Sequence, residues 1–291
     1  MRKFTFLTPN SLSEALLLLR EHAGRIKPLA GGTDLMVELR DGDEKLDSMD
    51  YALDLTVLPE LRAITLENGN VSIGAMATHN DVAASPLVRS AAAMLAEASA
   101  SVGAQQIRNA ATIGGNVCNA AVAADTLSPL AALDARVTLL SVSGTRELPL
   151  SAFILGAGKT ALKPDELLAK ITFIPLSGWQ SRFVKLGRRK ALAISRMNAS
   201  VALRFEHGVI AEARVAPGCV FATPRRVSSA EALLIGQVPS LTLFEACGKA
   251  VSDEMVAVTG VRWSTEYKYP ALAAIVRRAL CEAAGLAEAE A

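Results

Sequence analysis

The chain has 291 residues, 51% of them hydrophobic and only 4% aromatic, with a formal net charge of +1. That length gives two domains as the starting expectation, each able to bury a core. The near-zero charge excludes a global field that would draw the chain to nucleic acid or anionic lipid, and no stretch approaches a membrane-spanning length.

The opening Met1-Arg2-Lys3-Phe4-Thr5-Phe6 lacks the apolar core of a signal peptide, so the cytoplasm is the expected location. Residues 12–19 carry a helical pattern, with Ser11 or Ser13 as cap, Glu14 in the first turn and Gly24 beyond the end. Residues 26–29 form a short strand that runs into Ala30-Gly31-Gly32-Thr33-Asp34. Thr33 or Asp34 is expected to cap the short helix over 35–39.

Residues 51–55 read as a strand and 58–61 as one helical turn. Strands over 62–66 and 70–73 are joined by Asn68-Gly69, a strong hairpin signal. A small helix over 81–85 and a longer one over 91–101 lead to a second glycine-bearing loop, Ala111-Thr112-Ile113-Gly114-Gly115-Asn116. A helix over 127–133 and a hairpin of 136–141 with 146–149 follow, with Ser143-Gly144 at its turn. A strand over 171–174 is closed by Pro175, and 176–180 is the best linker candidate. Strands over 183–186, 199–205 and 209–215 then precede helices over 229–234, 241–251 and 270–284. Strands followed by helices imply α+β packing. The Ala/Glu-rich tail after Gly285 is expected to fray.

Cys118, Cys219, Cys247 and Cys281 are scattered, with no CxxC, and His22, His79 and His207 are isolated, so no metal site is expected. Gly156-Ala157-Gly158-Lys159-Thr160 looks like a P-loop fragment, but position 153 is Phe153 where that motif needs glycine, and Pro164 interrupts the helix that should follow. No GxGxxG follows a strand either, which excludes an ordinary dinucleotide fold.

The two glycine pairs carry the chemistry. Each lies where an apolar stretch meets a turn, and each offers backbone N–H groups with no Cβ in the way. Two such loops facing each other would cradle a diphosphate. Gly31, Gly32 and Thr33 are the candidate donors. Asp34 would be repelled by the anion and is assigned to capping. Thr112, Asn116 and Asn119 suit ribityl and phosphate oxygens. Asp125, at its spacing, either returns to a ribose hydroxyl or caps the helix that starts near Thr126. Either loop taken alone could also be an ordinary turn. In the basic run 185–190, Arg188, Arg189 and Lys190 read as solvated surface. Lys185 follows Phe183-Val184 in strand alternation and is expected to face inward, where a cation would stabilise a reduced flavin ring.

In order, Ala30-Gly31-Gly32-Thr33-Asp34-Leu35, Ile73-Gly74-Ala75, Gln106-Ile107-Arg108-Asn109-Ala110-Ala111-Thr112-Ile113-Gly114-Gly115-Asn116, Gly158-Lys159-Thr160, Pro164-Asp165-Glu166-Leu167-Leu168, Lys185-Leu186-Gly187-Arg188-Arg189 and Ser264-Thr265-Glu266-Tyr267-Lys268 span nearly the whole chain. Together they resemble the FAD-binding subunit of the molybdenum hydroxylases, the family of xanthine dehydrogenase, aldehyde oxidoreductase and carbon monoxide dehydrogenase.

The resemblance implies an α+β protein. A two-lobed FAD-binding domain of the PCMH type (1–176, lobes about 1–55 and 56–176) would precede a small α+β C-terminal domain (177–291). By matched position, Lys27, Pro28, Leu29, Ala30, Gly31, Gly32, Thr33 and Asp34, with Thr112, Ile113, Gly114, Gly115 and Asn116, would hold the pyrophosphate. Asp125 would hold the ribose region, Leu168 and Lys185 would lie near the isoalloxazine, and Ile113 would lie by its reactive face. No side chain need act as acid, base or nucleophile. The implied partners are a small [2Fe-2S] subunit and a large molybdopterin subunit, as a dimer of heterotrimers, with NAD or another electron acceptor.

Two features depart from the family. Ala121-Val122 stands where relatives often carry Ser-Pro, and the cysteine-rich insertion of the benzoyl-CoA reductase branch is missing. Two other readings stay open at the level of sequence: a stand-alone FAD oxidase or dehydrogenase of a related fold, and a non-catalytic assembly protein that has lost its cofactor.

Overall fold

Parallel strands need crossover connections, and the first fifty residues supply two. The computed structural model describes residues 3–189 and 191–287. It begins β1 (Thr5–Leu7), α1 (Leu12–Glu21), β2 (Ile26–Leu29), α2 (Leu35–Asp41) and β3 (Tyr51–Asp54). The three strands lie in the order β1-β3-β2, all parallel, with Thr5 and Ile26 both opposite Tyr51. Ser11 caps α1 by accepting the Glu14 N–H. Ala15 and Leu19 of that helix then pack on Ile26 and Leu53.

A second lobe follows, and its strands are antiparallel. Its elements are β4 (Ile64–Glu67), β5 (Asn70–Gly74), α3 (His79–Ala84), α4 (Pro86–Ala91), α5 (Ala93–Ala100), α6 (Gln105–Ala110), α7 (Ile113–Asn119), α8 (Leu127–Ala132), β6 (Arg136–Ser141), β7 (Gly144–Pro149), α9 (Leu150–Phe153), β8 (Ile154–Gly156), β9 (Lys159–Thr160) and β10 (Leu167–Phe173). The main sheet runs β4-β5-β10-β6-β7. Its first hairpin turns at Asn68 and Gly69, both at positive φ (51° and 78°), as the tight turn between twisted strands requires. Val71, Ile73, Val137 and Ile171 pack with Met94, Leu95 and Leu130 of the helices. Leu167 and Ala169 instead join the core of the first lobe, so β10 ties the lobes together.

The last third contains β11 (Trp179–Gly187), β12 (Ser195–Glu206), β13 (Val209–Gly218), α10 (Ser228–Leu234), α11 (Leu241–Thr259) and α12 (Thr265–Ala284), with the strands antiparallel in chain order. Strand alternation splits this sheet between two cores. Met197, Ala199, Val201 and Leu203 pack with residues of α11 and α12 such as Phe244, Val251 and Leu280. Phe183, Ala202 and Ala216 join the core of the second lobe.

Several local expectations need correction. The segment read as a second loop, 111–116, is helical from Ile113, where α7 begins. The strand placed at 171–174 begins at Leu167. The linker placed at 176–180 is already strand from Trp179. There Trp179 packs on the second lobe's core, and in the next turn of strand Ser181 Oγ accepts the Met94 N–H at 3.3 Å. Met1, Arg2, Lys190 of the basic run and the end of the Ala/Glu-rich tail lie outside the described residues.

Candidate functional site

A cleft of about 500 Å³ is lined by both lobes, within the size range of small-molecule sites. One wall is the β2–α2 connection, which contributes Lys27, Pro28, Ala30, Gly31, Gly32, Thr33 and Asp34. The other is the start and inner face of α7, with Thr112, Gly114, Gly115 and Asn116. Apolar Leu55, Met76, Leu167 and Leu168 complete it.

The walls touch at one point. A Cβ placed on Gly31 would lie 2.0 Å from the Ala110 oxygen and 2.8 Å from Ala111 Cα, so only glycine lets the two main chains approach this closely. Gly114 does the same for α7 against the end of β5, where a Cβ would meet Ala75 O at 2.6 Å.

The two glycine segments offer different chemistry. Among the described residues, no hydrogen bond uses the N–H of Gly31, Gly32, Thr33 or Asp34. In the second segment the donors from Ile113 onward are occupied, and among the described residues the Thr112 N–H makes no hydrogen bond. Ile113 N–H bonds Ala77 O at 2.9 Å, Gly114 N–H bonds Ala75 O at 2.9 Å, and Gly115 N–H bonds Thr112 Oγ1 at 3.0 Å. Free amides are expected on both sides; among the described residues the first segment has four and the second has that of Thr112 alone. The cause is a long-range pairing with a local cap: Thr112 pairs with Thr78 in an isolated bridge and caps α7, and the Ala75 and Ala77 carbonyls take the first donors of the helix.

Asp34 also differs from expectation. It occupies the position before α2 but makes no side-chain cap bond, because its backbone is already helical rather than extended. Asp34 lines the cleft, and burial raises its carboxyl pKa above the ordinary carboxylate value.

Of the remaining predicted residues, Leu168 lines the cleft, whereas Leu29, Ile113, Asp125 and Lys185 do not. The Ile113 side chain is fully buried in the second lobe's core, since its N–H bond to Ala77 turns it inward. Asp125 and Lys185 form a buried ion pair. Lys185 Nζ lies 2.6 Å from Asp125 Oδ2 and 3.0 Å from Ser101 O, with side chains 14% and 7% exposed. Ser195 Oγ donates to Asp125 Oδ1 at 2.5 Å. Burial pushes the Asp125 carboxyl upward, against Lys185, Ser195 and Asn198, which favour its charged form. The inward-facing lysine is as expected. Asp125 does not cap the following helix: Thr126 holds that position, without a side-chain bond. One link joins this pair to the cleft wall, because Thr126 Oγ1 donates to Asn116 Oδ1 at 2.5 Å.

Residues 2–177 match the family model described as the FAD binding domain in molybdopterin dehydrogenase, and residues 182–283 match the CO dehydrogenase flavoprotein C-terminal domain. The chain belongs to the FAD-binding subunits of the molybdenum hydroxylases. It is 34% identical over 285 residues to the nicotinate dehydrogenase FAD-subunit of Eubacterium barkeri, covering 96% of this chain and 95% of the relative. It is 31% identical over 280 residues to the xanthine dehydrogenase FAD-binding subunit of Escherichia coli O157:H7, covering 95% and 94%. The fold matches the carbon monoxide dehydrogenase of Hydrogenophaga pseudoflava solved without its Mo-pyranopterin moiety, with a TM-score of 0.88, 28% identity and 98% of both chains covered.

This FAD-binding subunit is thus an oxidoreductase component whose cofactor is FAD, and the expected FAD-binding domain followed by a C-terminal domain is borne out. The residues of the cleft fit that cofactor. Four free amides line one wall, and the apolar side chains can cover a ring system. Sequence reasoning had left out Met76, Leu162 and His79 as lining residues. For His79 a signal existed: Thr78 and Asp81 form a capping box, which makes His79 the first residue of α3. Met76 and Leu162 carry no local signature.

Proposed function

We propose that this chain is the electron-transfer subunit of a molybdenum-dependent hydroxylase or dehydrogenase. It accepts electrons from the [2Fe-2S] clusters of a small subunit and passes them to NAD or another acceptor, in a cytoplasmic complex that also contains a molybdopterin subunit, as a dimer of heterotrimers. The cofactor domain is 1–176, with lobes 1–55 and 56–176, and 177–291 is the C-terminal domain. The observation that carries this reading is the contact of Gly31 with Ala110 and Ala111 at the head of a cleft with four unused amides.

When bound, FAD exchanges electrons singly with one partner and in pairs with another. The chain's residues bind and orient it. The N–H groups of Gly31, Gly32, Thr33 and Asp34 donate to diphosphate oxygens, since main-chain amides need no desolvated cation to hold an anion. Lys27 adds positive charge to the same wall. Thr112 and Asn116 present a hydroxyl and an amide from the other wall. Gly114 and Gly115 keep that wall low, while Leu168, Leu167 and Met76 exclude water from the ring's surroundings. Asp125 and Lys185 pair outside the cleft lining, and Thr126, the residue after Asp125, holds Asn116 of the wall.

Purification from the native host tests the assignment. Co-elution of this chain with iron, molybdenum and flavin in one peak is the expected result. A chain that elutes alone, carries FAD and oxidises an organic substrate unaided would refute it.

A further inference from the structure

Among the described residues that line the cleft, His79 holds a buried side-chain nitrogen with no hydrogen-bond partner. It is 1% exposed, and its Nδ1 is buried without a hydrogen-bond partner. Among the described residues, no hydrogen bond reaches either ring nitrogen. A neutral imidazole carries one N–H donor and one acceptor nitrogen, so the argument holds whichever way the ring is turned. Leaving such groups unpaired costs about 1–3 kcal/mol, and native structures retain few.

Its position gives the orphaned ring a meaning. His79 lines the cleft. Its backbone N–H donates to Ala111 O at 3.0 Å, and Ala111 is the residue against which Gly31 packs. His79 is therefore anchored where the two walls meet, and it lines the same cleft as residues 31–34. A charged group that acts on the ring is Arg108, whose guanidinium donates to the carbonyls of Val102 and Gly103 and to Gln105 Oε1. Burial first, and Arg108 second, lower the His79 pKa to about 4, so the ring is neutral near pH 7.

We infer that His79 is a cofactor-positioning residue, whose ring N–H donates to an oxygen of the bound FAD at the junction of the two glycine segments. This rests on the FAD reading of the cleft. The competing explanation is an ordered water held beside the ring.

The test uses the full-length protein stripped of flavin, wild type against His79→Phe, with FAD affinity read by fluorescence titration. Phe keeps the ring's shape and removes both ring nitrogens, the buried unpartnered Nδ1 among them. The inference expects FAD to bind about tenfold more weakly, while the apoprotein melts at the same temperature or higher. His79→Gln, which restores an amide donor, should recover part of the affinity. A second readout is the imidazole N–H proton by NMR, assigned by its loss in His79→Phe. It should become slowly exchanging only when FAD is added. An unchanged dissociation constant in His79→Phe, or an N–H signal indifferent to FAD, overturns the inference and leaves the water explanation. A wild-type chain that takes up no FAD overturns the reading of the cleft itself.

Discussion

Gly31→Ala is the sharpest perturbation the structure offers. The added methyl would lie 2.0 Å from Ala110 O and 2.5 Å from the Ala110 carbonyl carbon. Carbon–oxygen contacts settle near 3.3–3.6 Å, so one wall must retreat by roughly 1.3 Å or more. Both atoms it meets are main chain, and no side-chain rotation relieves the clash. Overpacking of this kind costs about 1–3 kcal/mol of stability. The larger effect falls on the cofactor, because the free amides of residues 31–34 move with the retreating wall. Each charge-assisted hydrogen bond is worth about 1.5–3 kcal/mol, so losing one or two weakens FAD binding by roughly ten- to ten-thousandfold. The assay is fluorescence titration of apoprotein with FAD, with a thermal melt of the same sample. Gly178→Ala is the control: Gly178 has a positive φ of 78° and open space around it, so alanine adds backbone strain of about 1–2 kcal/mol far from the cleft. The control should lose melting temperature and keep FAD. If Gly31→Ala binds FAD within threefold of wild type while its melting temperature drops, the cradle is misplaced.

Three further outcomes are expected. Lys185→Met leaves Asp125 buried without its cation and should cost about 3–5 kcal/mol in urea denaturation, with Asp125→Asn in the same chain restoring part. Burial raises the Asp125 pKa in the folded state, so its native form holds the proton more tightly, and the deficit of Lys185→Met should shrink as pH falls through that raised pKa. The sign is opposite for His79, a base whose folded pKa is depressed from 6.5 to about 4: apoprotein stability should be lost as pH falls from 6.5 toward 4, by about 3 kcal/mol at most, and His79→Phe should show a flatter profile. Arg146→Ala removes the partner of buried Glu166, held at 2.6 and 2.7 Å, and frees the Ala161 carbonyl next to cleft-lining Leu162; differential scanning calorimetry should show a loss of about 2–4 kcal/mol, with weaker FAD retention.

What could be read from residues alone follows from how local each signal is. Asn68-Gly69 specifies a tight hairpin by itself, because both residues tolerate positive φ, and Ser11 with Glu14 specifies a helix start within four residues. The glycine pairs were legible as close approaches, but their partners were not. Nothing in residues 30–34 says that Ala110 will be the neighbour. The second segment reads as an open loop because Gly114-Gly115 suppresses the helix signal. The deciding fact is long-range: the end of β5 supplies Ala75 and Ala77 carbonyls that take the first donors of α7. Asp125 and Lys185 stand sixty residues apart in sequence and meet only because β11 packs on the second lobe. His79 was set aside as an isolated histidine, since its lack of a partner is visible only in three dimensions.

Electron density for a diphosphate in the FAD-loaded protein bears most directly on the central claim. The account predicts that density within hydrogen-bonding reach of the Gly31–Asp34 amides, with the α7 wall at Thr112–Asn116 on its other side. A diphosphate seated elsewhere in the chain, or a loaded structure in which Gly31 and Ala110 have moved out of contact, would contradict it.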